Sequence, residues 1–193
     1  MIAHLNGILT EKTPTNLIVE CGGVGYFVKI SLNTFSRITQ ENGKGIKIFT
    51  NLQVKEDSQT LFGFFSIQER EMFLHLISVS GIGANTAMLM LSSLSSDEIA
   101  HAITSDDVTT IKSVKGIGLK TAQRVIVDLK SKMNKIEFSA ENIFSGNNTN
   151  KFDALTALSA LGFDKTKSEK AINKVLTDDQ TVEELIKGAL KIL

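Results

Sequence analysis

Ser80-Gly81-Ile82-Gly83-Ala84-Asn85-Thr86-Ala87 returns as Lys115-Gly116-Ile117-Gly118-Leu119-Lys120-Thr121-Ala122, at a constant offset of 35 residues. Val79 and Val114 precede the two copies, and an apolar pattern of helical period follows each. A repeat at this period is a supersecondary module used twice. The module reads helix, Gly-x-Gly turn, helix. Two glycines one residue apart permit a tight turn with positive φ and close approach of another backbone. The chain then enters a helix whose first N–H groups lack intrahelical partners. Together with the helix dipole they form a weak anion site. A phosphate held there is gripped without contact to a base edge, so DNA is positioned but its sequence is not read. For one copy, a glycine-capped packing turn is the simpler explanation. Two copies in register, each followed by Thr-Ala, favour phosphate binding.

Outward from this repeat the chain divides into parts. Residues 1–64 alternate and turn. Met1–Leu9, Asn16–Cys21, Tyr26–Ser31, Ile46–Lys55 and Thr60–Phe65 read as strands, rich in Ile, Val, Phe and Leu. Turn signals fall at Thr13-Pro14-Thr15-Asn16, Gly22-Gly23 and Asn42-Gly43-Lys44-Gly45, with a helical turn near Asn33–Ile38. This is a small all-β domain, and its phenylalanines lie in apolar runs that suit a core. From Ser66 the period becomes helical. Ser66-x-x-Glu69 and Ser95-x-x-Glu98 are capping-box patterns, and Met72, Phe73, Leu76 and Ile77 recur at helical spacing. An all-α domain at 65–134 therefore contains both Gly-x-Gly turns. Residues 135–150 lose periodicity and are rich in Asn, Ser and Gly, as a flexible linker is. A three-helix domain follows at 151–193. Phe152, Leu155, Leu158 and Leu161 mark its first helix, Gly162 ends it, and Ala171–Leu176 and Val182–Leu193 form the others. Asp178 or Asp179 is the expected cap of the last. So small a domain buries a modest core, and its tether suggests a partner.

Charge places the contact surface. The chain has 21 basic and 21 acidic residues, a balance that by itself argues against a nucleic-acid binder. The distribution argues the other way. Lys112, Lys115, Lys120, Arg124, Lys130 and Lys132 crowd one segment, against the single acid Asp128. Such a stretch suits modest, salt-dependent phosphate binding. No apolar run is long enough to span a bilayer, and Met1-Ile2-Ala3-His4-Leu5-Asn6-Gly7 has no basic region of a signal peptide. Cys21 is the only cysteine, so no intrachain disulfide forms, and a cytoplasmic location is expected.

The doubled segment resembles a tandem helix-hairpin-helix. The string Gly116-Ile117-Gly118-Leu119-Lys120-Thr121-Ala122-Gln123-Arg124-Val125-Ile126-Val127-Asp128-Leu129-Lys130 is similar to the second hairpin of the RuvA family of Holliday junction branch-migration proteins. Gly22-Gly23-Val24-Gly25-Tyr26-Phe27-Val28 and Asp57-Ser58-Gln59-Thr60-Leu61-Phe62-Gly63-Phe64 resemble that family's N-terminal barrel. Asp153-Ala154-Leu155-Thr156-Ala157-Leu158-Ser159-Ala160-Leu161-Gly162-Phe163 resembles its third domain. The resemblance implies a multidomain α+β protein: an OB-type barrel at 1–64, the hairpin domain, a linker and a small three-helix domain. It implies DNA contacts at Gly81, Ile82, Gly83, Gly116, Ile117, Gly118, Lys120, Thr121 and Arg124. It implies an acidic pin at Glu56 and Asp57, which the local sequence alone would make a polar hairpin turn. It also implies a homotetramer or octamer, four-way junction DNA, and a RuvB-like hexameric ATPase met through Leu158, Leu161 and Phe163. A junction-resolving endonuclease is a further implied partner, with roles in recombination and DNA repair. One departure matters. The family often carries Pro-Lys after the first Gly-x-Gly, where Ala84-Asn85 stand here, so the first hairpin lacks a cation.

No catalytic constellation emerges, and the resemblance implies the non-catalytic subunit of an ATP-driven branch-migration complex, without cofactor or metal. His4, His75 and His101 are scattered, away from metal-ligand spacing. Gly116–Thr121 fails as a P-loop, because Leu119 precedes Lys120 and the segment follows a helix rather than a strand. Asp128 stands where some helix-hairpin-helix glycosylases place a catalytic acid, but no aromatic set for a flipped base accompanies it. An i,i+4 pair with Arg124 explains it more simply. The competing class is a non-enzymatic OB and helix-hairpin-helix scaffold for single strands or protein partners.

Overall fold

Five strands alternate apolar and polar residues, and in the computed structural model, which describes residues 1–141, 146–177 and 180–193, they close into a barrel. They are β1 (His4–Lys12), β2 (Asn16–Cys21), β3 (Val24–Ile30), β4 (Gly45–Val54) and β5 (Gln59–Phe64), with helix α1 (Leu32–Arg37) between β3 and β4. The order around the barrel is β1-β2-β3-β5-β4. All pairings are antiparallel except β3 with β5, where Val28, Lys29 and Ile30 face Leu61, Phe62 and Gly63 in parallel. Period-two alternation turns Leu5, Leu9, Leu17, Val19, Val28, Ile30, Ile46, Ile48 and Leu61 into one core. The first strand starts later than expected and runs on to Lys12, because the turn that ends it lies at Thr13–Asn16, where the Thr13 N–H bonds the Asn16 carbonyl at 2.9 Å. Gly7 is required by close approach: a Cβ there would lie 2.1 Å from the Glu20 carbonyl oxygen. The phenylalanines are mostly core residues as expected, but Phe27 stands on the outer face, 56% exposed.

The barrel does not end cleanly where the helices begin. Phe62 and Phe64 of β5 belong to the helical core, with ring centroids 5.2 and 4.9 Å from that of Phe73. Phe73 lies on α2 (Ile67–Ile77), which Ser66 caps at the expected position. Glu69 of α2 is buried, and its carboxyl oxygens accept from Ser31 Oγ (2.6 Å), Thr34 Oγ1 (2.7 Å) and the Phe65 N–H (3.2 Å). Asn33 Nδ2 of α1 donates to the carbonyls of Leu91 and Leu94, 2.6 and 3.0 Å away. Barrel and helices accordingly cluster as one unit, Met1–Met133.

The rest of that unit is α3 (Ala84–Ser93), α4 (Ser96–Thr104), α5 (Val108–Ser113) and the start of α6 (Leu119–Glu141). Ile99, Ile103, Ile111, Val125, Leu129 and Met133 meet in its core. The segment 135–150, expected as an aperiodic linker, is helical on both flanks. Helix α6 continues to Glu141 and α7 begins at Gly146, while 142–145 lie outside the described residues. Extending a nucleated helix costs far less than starting one, so an anchored α6 propagates through residues with no amphipathic signal of their own.

The second unit, Asn134–Leu193, holds α7 (Gly146–Ala160), α8 (Lys165–Val175) and α9 (Val182–Leu190). Ala154, Leu158, Ala171, Ile172, Leu185 and Ala189 form its core. Gly162, at φ 94°, terminates α7 as expected, with the Phe163 N–H returning to the Leu158 carbonyl at 3.1 Å. Helix α8 starts earlier than expected, because Asp164 caps it. Thr181, not Asp178 or Asp179, caps α9, through a capping box with Glu184; the two aspartates lie outside the described residues. The Thr181 backbone N–H and then its hydroxyl hold the Glu184 carboxyl below its ordinary range. Among the described residues no helix is long and apolar enough to cross a membrane.

Glu69 is the polar pin of the barrel–helix joint, and removing it leaves the buried Ser31 and Thr34 hydroxyls without their acceptor, while the Phe65 N–H keeps Thr34 Oγ1 at 3.2 Å. Glu69→Ala should destabilise the chain by about 2–4 kcal/mol, since each buried group left unpaired costs about 1–3 kcal/mol. Urea unfolding followed by far-UV circular dichroism measures this; a loss below about 0.5 kcal/mol would mean the network does not hold the joint.

Candidate nucleic-acid interface

The sequence repeat is repeated geometry. Gly81 and Gly116 have φ of 95° and 89°, in the left-handed region that favours glycine. The Ile82 N–H bonds the Val79 carbonyl at 3.0 Å, and the Ile117 N–H bonds the Val114 carbonyl at 3.1 Å. The first intrahelical bonds also match: Ala87 N–H to Gly83 and Ala122 N–H to Gly118, both 2.9 Å. Val79, Ile82, Val114 and Ile117 are buried and anchor the two turns in the core, while Gly81, Gly83, Gly116 and Gly118 are exposed.

Ile82 and Ile117 of the expected contact set have buried side chains and amides already bonded within the turn. They shape the hairpins. The amides that remain bare are those at the starts of α3 and α6.

Those starts differ from the other helices. A Ser, Thr or Asp side chain accepts an amide at the start of α1 (Ser31), α2 (Ser66), α4 (Ser95), α5 (Asp107), α8 (Asp164) and α9 (Thr181). Glycine holds the capping position of α3, with no side-chain bond, and Gly118 holds the matching place before α6. A Cβ at Gly83 or Gly118 would meet nothing within 4 Å, and neither has positive φ. The fold therefore has room for a capping side chain at both and would gain from one. What glycine supplies instead is open access to bare amides.

The cations are distributed unevenly. Lys112, Lys115 and Lys120 are exposed and make no ion pair or hydrogen bond among the described residues. Lys120 stands on the first turn of α6, where the first hairpin has exposed Asn85. Thr121 is half-buried, as is Thr86 at the matching place. Arg124 is exposed, and its Nη1 donates to the Ser80 carbonyl of the first hairpin at 3.5 Å. The i,i+4 pair expected between Arg124 and Asp128 is absent among the described residues; the guanidinium turns across to the other hairpin instead. Lys130 pairs with Asp106, and Lys132 Nζ donates to Ser78 Oγ at 3.0 Å. Half of the apparent basic patch is thus tied to the protein, and neither the partners nor the ties carry a sequence signal, because they lie 24 to 54 residues away.

Glu56 and Asp57 are both exposed in the β4–β5 turn, which the Lys55 N–H closes on the Ser58 carbonyl at 2.8 Å. Among the described residues no hydrogen bond or ion pair joins them to either hairpin. In the second unit Leu158 is fully buried, so it is a core residue and not part of a docking surface. Its spacing with Leu155 is that of an inward face. Leu161 and Phe163 are exposed, 62% and 39%.

Residues 1–63 match the family model described as the RuvA N terminal domain, 73–131 that of a SAM-like helix-hairpin-helix tandem, and 152–193 that of the RuvA C-terminal domain. The chain is 53% identical to the Holliday junction branch migration complex subunit RuvA of Christiangramia forsetii. It is 50% identical to the protein of that name from Flavobacterium psychrophilum and 48% identical to the one from Cytophaga hutchinsonii. In all three, the match covers 100% of both chains.

Gly118→Ser should leave the thermal midpoint unchanged or slightly raised, because serine caps α6 by a few tenths of a kcal/mol over glycine. The same hydroxyl competes for the bare amides, so affinity for DNA should fall, about three- to tenfold. Equal affinity at equal stability would remove the amides from the contact. Lys120→Ala should cost more affinity than Asn85→Ala in a parallel titration, because only the second hairpin offers a cation; equal losses would mean that this cation adds nothing to the contact.

Proposed function

This chain belongs to the RuvA family, and from that premise we propose that it is the junction-binding subunit of a branch-migration complex. The observation that carries the reading is the pair of matched hairpins whose helix starts are left uncapped by glycine, with free lysines beside the second. Two such sites on one rigid core suit successive phosphates of one duplex arm. Binding of this kind is insensitive to sequence and sensitive to shape.

Four copies arranged about a fourfold axis would offer one hairpin pair to each arm of a four-way junction. Glu56 and Asp57, on their exposed barrel turn, would then lie near the crossover. Like charges repel by about 1 kcal/mol at 4 Å in water, and more where solvent is excluded. Carboxylates facing phosphates at the centre would disfavour an unbroken duplex there and favour separated strands. Specificity would come partly from what the centre repels. The chain supplies no ATP site of its own in this reading. The second unit, through Leu161 and Phe163, would recruit a RuvB-like hexameric ATPase that moves the arms.

Gel-shift binding to a four-way junction and to length-matched duplex tests this. Wild type should prefer the junction strongly, and Glu56→Gln/Asp57→Asn should relax that preference toward duplex. Preference unchanged by the double substitution would discard the pin, and equal binding of both DNAs would discard the junction reading.

A further inference from the structure

The first hairpin carries no cation of its own, so its grip rests on amide groups alone. Amide hydrogen bonds weaken steeply with misalignment. Such a site works only if the loop that presents it is held in place. Helix α6 reaches that loop at two points. Lys132 Nζ donates to Ser78 Oγ at 3.0 Å, and Arg124 Nη1 donates to the Ser80 carbonyl at 3.5 Å. Ser78 is the C-terminal cap of α2, where its N–H meets the carbonyls of the last turn and its hydroxyl donates to the His75 carbonyl at 2.7 Å. The Lys132 ammonium therefore sits at the negative end of α2. The turn begins one residue later, where the Val79 carbonyl accepts from Ile82.

We propose that Lys132 is a positioning residue for the first hairpin: bonded to Ser78, it fixes the entry to the Gly81–Gly83 turn and does not itself touch DNA. The proposal deepens the junction-binding reading above and rests on it for its effect on affinity. The His75 imidazole agrees with the placement, being held below its ordinary pKa by burial and then by the Lys132 charge. Among the described residues no side chain from another helix bonds the second turn, Val114–Gly118, so the tie is particular to the first hairpin. By position in the sequence Lys132 belongs to the basic patch, yet its ammonium is bonded to the exposed end of α2.

The test has two arms, both on the full chain. Without DNA, amide hydrogen exchange across residues 79–86 should quicken in Lys132→Met and in Ser78→Ala, while 114–121 stays as in wild type. Unchanged exchange in the first hairpin overturns the proposal whatever the DNA result. With DNA, anisotropy titrations of a four-way junction over a range of KCl should show both variants about three- to fivefold weaker, the size of an exposed charge-assisted contact. The slope of log K against log salt should stay at the wild-type value, because no phosphate contact is lost. Lys120→Ala should instead make that slope shallower, by about 0.9 for each contact removed. Lys132→Arg should restore binding, and the double variant Lys132→Met/Ser78→Ala should be no weaker than either single one. A shallower slope for Lys132→Met with neutral Ser78→Ala would make Lys132 a direct phosphate contact and overturn the proposal. Ser78→Ala keeps every charge, so it decides the matter even if Lys132→Met folds poorly. A wild type that ignores junctions would sink the functional reading and leave the exchange arm to judge the hairpin tie separately.

Discussion

The amides at the starts of α3 and α6 have no side chain to bond, because glycine stands at both capping positions. At α1, α2, α4, α5, α8 and α9 the chain uses Ser, Thr or Asp for this task, including the Ser95 and Thr181 capping boxes. The exception forgoes stability at two places where the backbone has room for a better cap. That choice makes sense when the amides have an outside partner with negative charge. The rest of the unit serves to hold these two ends: buried isoleucines lock each turn, and one helical core ties both turns together.

Holding them also requires the barrel. Phe62 and Phe64 leave the barrel interior to pack on Phe73, and Glu69 collects three donors from α1 and the end of β5. A buried carboxyl group is costly unless its partners are complete, and here the donors come from the first turn of α1 and from the residue after β5. The joint is thus specified by polar geometry as well as by apolar area. It makes the barrel turn with Glu56 and Asp57 and the two hairpins parts of one unit.

The second unit is built differently. Among the described residues its buried core is Leu158, Ile172 and Leu185 with three alanines, a modest apolar set for a small unit. Caps carry a larger share of what holds it: Asp164, the Thr181–Glu184 box and the Gly162 turn each satisfy helix-end groups. A unit of this kind leaves apolar side chains such as Leu161 and Ile192 outside.

The sequence by itself determined the elements and the repeat. Alternation, turn glycines and capping boxes are local signals, and they located the five strands, the Gly-x-Gly turns at 81–83 and 116–118, and the caps Ser66 and Ser95. It could not tell which apolar residues face inward at Phe27, Phe62 and Leu158, because a period identifies a face and not its neighbour. It misjudged the run to Glu141, where propagation from an anchored helix needs no local pattern. It read Ile82 and Ile117 as contacts, although their amides are consumed by the turn. It also counted Arg124, Lys130 and Lys132 as one basic patch. Only the tertiary structure decided that these three reach Ser80, Asp106 and Ser78, because a charge is assigned its role by partners that folding brings from far along the chain.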